Sequence, residues 1–140
     1  MPKMLEGSCR CGAVHFFVAS HAPYPYQLCY CSICRKTQGG GGFAINLSAD
    51  NKSLKVRGRR AIGMFRAKIA DDEGHCHTST GQRNFCKKCG TGLWLYDPEW
   101  PDLIHPVCIR HRHKAAGAAV KSASDAEVQG ALGAARFRPR

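Results

Sequence analysis

The chain has 140 residues, nine cysteines and a formal charge of +11, a length that suits one domain burying about two thirds of its unfolded surface. No apolar run approaches the roughly 20 residues of a membrane-spanning helix, and the first residues lack a secretory cleavage pattern, so a soluble cytoplasmic protein with no membrane partner is expected. The charge does not mark a nucleic-acid binder, because residues 1–107 hold 14 Lys and Arg against 8 Asp and Glu and residues 108–140 hold 7 against 2, so that almost half of the excess sits in the last quarter of the chain.

Cys9 and Cys11 come first, in SCRCGAV. The following GAVHFFVA, residues 12–19, is a short β-branched and aromatic run that predicts a strand. The stretch LCYCSICRKTQGGGGF, residues 28–43, then sets Cys29, Cys31 and Cys34 before four glycines. Further strands are predicted at FAINL (43–47), SLKVRG (53–58), AIGMFRAKIA (61–70) and GLWLYD (92–97), with turns at 49–51, 71–74 and 97–102. No segment before residue 107 keeps an apolar period of three to four residues for helical length, so a mainly β fold is expected. Trp94, Tyr96 and Trp100 in GLWLYDPEWP are expected to fill the core, with an aromatic wall for a ligand as the other reading.

Nine cysteines in C-x-C and C-x-x-C spacings, odd in number, speak for metal rather than a disulfide framework. Cys86 and Cys89 stand in FCKKCGTGL, where Gly90 can adopt positive φ and turn backbone N–H groups toward the sulfurs. With Cys9 and Cys11 they would supply four thiolates to one closed, structural zinc that joins an early strand to a late one. Cys29, Cys31 and Cys34 would leave a tetrahedral zinc one ligand short, which is how catalytic zinc sites are built. A closed second site completed by Cys76, His75 or His77 is the competing reading. Arg35 is a candidate for holding a ligand carboxylate, and Gly39 and Gly40 for letting a peptide-like ligand lie on bare backbone, although a glycine run also serves as a flexible connection.

SCRCGAVHF, CYCSICRKTQGGGGFAI and RNFCKKCGTGLWLYDPEWPDLIHP together resemble the glutathione-dependent formaldehyde-activating enzyme family, which includes relatives of centromere protein V, over about residues 5–106. The resemblance implies a β-tent of antiparallel sheets. It also implies a structural zinc on Cys9, Cys11, Cys86 and Cys89, and a second zinc on Cys29, Cys31 and Cys34 tied to activity. The implied reaction joins glutathione to formaldehyde as S-(hydroxymethyl)glutathione, a carbon–sulfur lyase reaction in reverse. The alternative is a non-catalytic zinc module that contacts nucleic acid or cytoskeletal and chromosomal partners.

The domain is expected to end at residue 106. Residues 107–140 are basic and rich in Ala and Gly, and relatives continue instead with an acidic, proline-containing turn and another strand. Back-translated and read one nucleotide out of frame, the tail can give an ending of the family type, which implies a frameshift near Val107, an irregular tail and an exposed sheet edge. A natural basic extension is the other reading, and sequencing the gene across this region separates the two.

Overall fold

The computed structural model describes residues 2–21, 27–38, 42–107 and 109. In chain order the elements are β1 (Lys3–Ser8), β2 (His15–Ser20), β3 (Gln27–Cys29), α1 (Ser32–Gln38), β4 (Ala44–Asn46), β5 (Ala49–Asp50), β6 (Lys55–Arg57), β7 (Ile62–Phe65), β8 (Lys68–Ala70), β9 (Cys76–Thr78), β10 (Gln82–Cys86), β11 (Gly92–Tyr96) and β12 (Leu103–Pro106). Two sheets build the body, one of three strands in the order β1-β2-β6 and one of five in the order β5-β12-β11-β10-β7. β3 with β4 and β8 with β9 form separate pairs, and every described pairing is antiparallel. The mainly β expectation therefore holds. No helix among the described residues is long and apolar enough to cross a membrane.

Alternation puts Phe16 and Val18 of β2 inside and Phe17 outside, as a strand half-buried on one face requires. Val14, Phe16 and Val18 meet Ala49, Leu93, Trp94 and Ile104 between the two sheets, and Cys9 and Cys86 belong to the same buried cluster. Phe16 meets Trp94 edge to face, with ring centroids 5.1 Å apart at 75°, the geometry that ring quadrupoles favour. Trp94 thus serves the core as expected and Tyr96 packs against it, whereas Trp100 is 65 % exposed in the turn before β12.

Among the described residues one short α-helix, α1, accompanies the strands. α1 shows no apolar period because its only buried side chain is Cys34. It is held at its start by the Cys31 carbonyl, which accepts from the Arg35 N–H at 3.0 Å, and by the Cys31 sulfur, which accepts from the Cys34 N–H at 3.4 Å. Arg35 and Lys36 lie in its last turn, where positive charge is favourable. The segment 61–70 also divides, giving β7 and β8, since Arg66 and Ala67 between them leave the five-stranded sheet for the β8–β9 pair.

Gly39 and Gly40 lie outside the described residues. So does the tail beyond Val107 except Ile109, which bridges Gly7 of β1.

Candidate functional site

Two turns of the same kind carry the first cysteine group. The Cys9 carbonyl accepts from the Gly12 N–H at 3.1 Å and the Cys86 carbonyl from the Gly90 N–H at 2.7 Å, with φ of 77° and 76° at the two glycines. Each turn folds its cysteines toward the other, so that the sulfurs of Cys9, Cys11, Cys86 and Cys89 all lie within 4.8 Å of one another. Two of the separations are 3.5 Å, Cys9 to Cys11, and 3.7 Å, Cys11 to Cys86. Four thiolates at about 2.3 Å from one zinc would stand about 3.8 Å apart. The spacing and the soft donors suit that ion.

Backbone groups prepare these sulfurs as acceptors. The Val14 N–H points at Cys9 Sγ at 3.3 Å. The Thr91 hydroxyl accepts from the Arg10 N–H at 3.1 Å and has its own hydrogen for Cys89 Sγ, also 3.1 Å away. Thr91 lowers the Cys89 thiol to about 5. Burial opposes ionisation of Cys9, but the Val14 N–H and the neighbouring thiols outweigh it and lower its pKa. At Cys11 the Ala13 N–H favours the thiolate, yet the adjacent sulfurs prevail and raise the thiol to about 11. Neighbouring thiolates repel, so two ionise early at the expense of the third. A divalent cation among them is what allows all four to ionise together.

The second group, Cys29, Cys31 and Cys34, also has its three sulfurs within 4.8 Å. Cys29 ends β3 opposite Ala44 of β4, and α1 lies in the connection between those strands. Cys34 is 2 % exposed while Cys31 is open to solvent. The N–H of Cys34 is the chief reason the Cys31 thiol drops to about 7. Burial, then the sulfur of Cys29, pushes Cys34 up to about 11, with the Arg83 guanidinium acting the other way. The donor set suits a thiophilic ion here too.

Among the described residues no fourth Cys, His, Asp or Glu joins this group. Cys76 and His77 lie exposed on β9, and His75 turns to Asp71, 3.2 Å away, in the β8–β9 turn. The reading in which one of these three closes the second site finds no support in the fold. Arg35 is exposed on α1.

Arg83 escapes sequence reasoning. It is 8 % exposed on β10, and its Nη2 lies 3.7 Å from Cys34 Sγ. The signal available was a charged residue two positions from Phe85 in a strand leading into a C-x-x-C, where an inward position is expected to be apolar. Beside Arg83 a cavity of about 260 Å³ is lined by α1 (Thr37, Gln38), β10 (Asn84, Phe85), Phe65 of β7, and Gly90 and Gly92. Gly92 lines it, and a Cβ there would stand 3.3 Å from Gln38 Cγ; a Cβ on Gly63, which is not in the lining, would stand 2.6 Å from the Phe85 ring.

Comparison with known proteins gives three findings. A family model described as glutathione-dependent formaldehyde-activating enzyme matches residues 4–121. A Halomonas elongata protein, provisionally named a glutathione-dependent formaldehyde-activating enzyme, is 54 % identical over 103 residues, which are 74 % of this chain and 62 % of that protein. This chain therefore spans less than two thirds of the length of that curated relative. A crystal structure of a Rhodobacter sphaeroides protein is similar with a TM-score of 0.56 and 25 % identity, over 73 % of this chain and 83 % of that one.

Proposed function

The chain belongs to the glutathione-dependent formaldehyde-activating enzyme family, and from that premise we propose that it is a zinc-dependent carbon–sulfur lyase. It joins glutathione to formaldehyde as S-(hydroxymethyl)glutathione and cleaves the same bond in reverse. The observation that carries this reading is the three-thiol group, which lies beside a cavity and gains no fourth protein ligand among the described residues. Four thiols at Cys9, Cys11, Cys86 and Cys89 are in turn suited to a structural zinc.

In the reaction a sulfur lone pair attacks the carbonyl carbon. A C–S bond forms, the C=O π pair moves to oxygen, and that oxygen takes a proton from solvent to replace the one the thiol released. Zinc bound by Cys29, Cys31 and Cys34 would hold the incoming thiol deprotonated at neutral pH. The protein residues supply the rest. The first turn of α1 fixes Cys31 and Cys34 through the Cys34 N–H, and Arg83 offsets thiolate charge at Cys34. The cavity wall brings the thiol's remaining atoms alongside. Catalysis on this scheme is mainly proximity, because thiols already add to formaldehyde in water.

The test is a rate of adduct formation above the uncatalysed one, followed by NMR of the hydroxymethyl group, in zinc-loaded protein. The excess is expected in the wild type and absent in Cys31→Ser and Cys34→Ser. No excess in the wild type discards this substrate pair.

A further inference from the structure

Buried charges in folded proteins are paired, and Arg83 stands out on that ground. Among the described residues no carboxylate faces it, its Nη2 reaches the Cys34 sulfur at 3.7 Å, and its buried Nε has no partner. Gln38, across the cavity on α1, has a buried Oε1 that likewise lacks a partner among the described residues. One wall thus holds an unmatched cationic donor, and the other an unmatched acceptor. Phe65 and Phe85 supply apolar surface between them.

We propose that this cavity is the subsite for the carboxylate-bearing arm of the thiol substrate, with Arg83 as its counter-charge and Gln38 as acceptor for a peptide N–H. The inference rests on the preceding reading that a peptide-like thiol reaches Cys29, Cys31 and Cys34. It adds which groups of this chain recognise that thiol, and what part of it they recognise. A planar guanidinium matches a carboxylate with two parallel bonds, which an ammonium does not reproduce. An amide one or two bonds away presents its N–H to a carbonyl oxygen such as Gln38 Oε1. At about 260 Å³ the cavity falls just below the usual range of roughly 300 to 1,000 Å³ for sites that enclose a whole drug-sized ligand. It therefore takes one arm of a tripeptide, leaving the cysteinyl sulfur at the mouth beside Cys34. Arg83 touches both Cys34 and the cavity, so the same side chain senses the thiolate group and the anionic arm.

The probe is S-methylglutathione, which keeps both carboxylates but cannot form a thiolate, titrated by calorimetry into zinc-loaded protein beside its diester. Wild-type protein is expected to bind the diacid at least tenfold more tightly than the diester. In Arg83→Met that preference is expected to fall below twofold, with Arg83→Lys between the two. Equal affinity of the wild type for diacid and diester overturns the proposal whether or not any variant folds. A preference that survives intact in Arg83→Met overturns it as well, since the charge recognised would then lie elsewhere. The two readings fail separately. An Arg83-dependent preference with no excess formaldehyde rate keeps the subsite and sinks the lyase, and an excess rate without the preference does the reverse.

Discussion

Cys11 Sγ lies 3.7 Å from Cys86 Sγ although 75 positions separate them in the chain. That contact joins the loop after β1 to the end of β10, and so connects the three-stranded sheet to the five-stranded one at the edge of their shared core. The three-thiol group does something different, since Cys29 ends β3 and Cys31 and Cys34 follow in the connection to its partner β4, all within one strand pair.

From this difference follows an unequal response to ligand loss. Structural zinc in small domains contributes about 10–16 kcal/mol of apparent binding free energy, comparable to or larger than the roughly 5–15 kcal/mol of total stability of a domain. Cys86→Ser is therefore expected to abolish the cooperative thermal transition seen by circular dichroism, whereas Cys29→Ser shifts the midpoint by a few degrees. Equal losses in the two variants would mean that the first group does not join the sheets energetically.

Gly58 and Gly74 separate two costs that are often merged. Both have positive φ, 82° and 86°, so an alanine at either pays about 1 kcal/mol for the left-handed backbone. At Gly74 nothing lies within 4 Å of the added methyl, while at Gly58 it would stand 1.9 Å from the Ala13 carbonyl oxygen. Backbone cannot move aside there without disturbing the turn that carries Cys9 and Cys11. Urea titration is expected to show about 1 kcal/mol lost in Gly74→Ala and more than about 2 kcal/mol in Gly58→Ala. Similar values would show that the β6 end is free to shift away from β2.

Much of the site could be read before the fold was known, for a physical reason. Thiol spacings of one and two residues, with a glycine after each outer pair, already define the local turns, and Gly12 and Gly90 adopt the positive φ that those turns need. The β-branched and aromatic run 12–19 and the period-two run 92–97 yielded β2 and β11, although the adjacent Leu93 and Trp94 of β11 are both buried. β3, β5 and β9 are two or three residues long, too short for any period to register. α1 was missed because a sulfur, not an apolar stripe, holds it. Arg83 was missed because its partner is Cys34, 49 positions away on another element, and the one local sign, a charged residue two positions from Phe85, does not tell which face of the strand turns inward.

The acidities of Cys31 and Cys34 differ in a way that labelling can resolve. In Cys31 the thiolate is favoured by the Cys34 N–H, which brings its pKa down to about 7. In Cys34 burial disfavours the thiolate and raises the pKa to about 11, even with Arg83 nearby. As pH rises, then, Cys31 gives up its proton first, about half by pH 7, and Cys34 stays a thiol through the neutral range. Protein whose three-thiol group has been emptied by brief treatment with a weak chelator, with the four-thiol group left loaded, should carry iodoacetamide on Cys31 at pH 7 and none on Cys34 below about pH 10, since only the thiolate reacts. Exposure acts in the same direction, Cys31 being open and Cys34 2 % exposed. The Arg83→Met variant separates the two effects. Removing the guanidinium raises the Cys34 pKa further and leaves the Cys31 midpoint unmoved, so a shift of the Cys31 midpoint in that variant would show that Arg83 acts on the whole group rather than on Cys34. Peptide mass spectrometry across pH 6–11 reads both midpoints, and equal labelling of the two cysteines at pH 7 would contradict the hydrogen bond from the Cys34 N–H as the source of the difference.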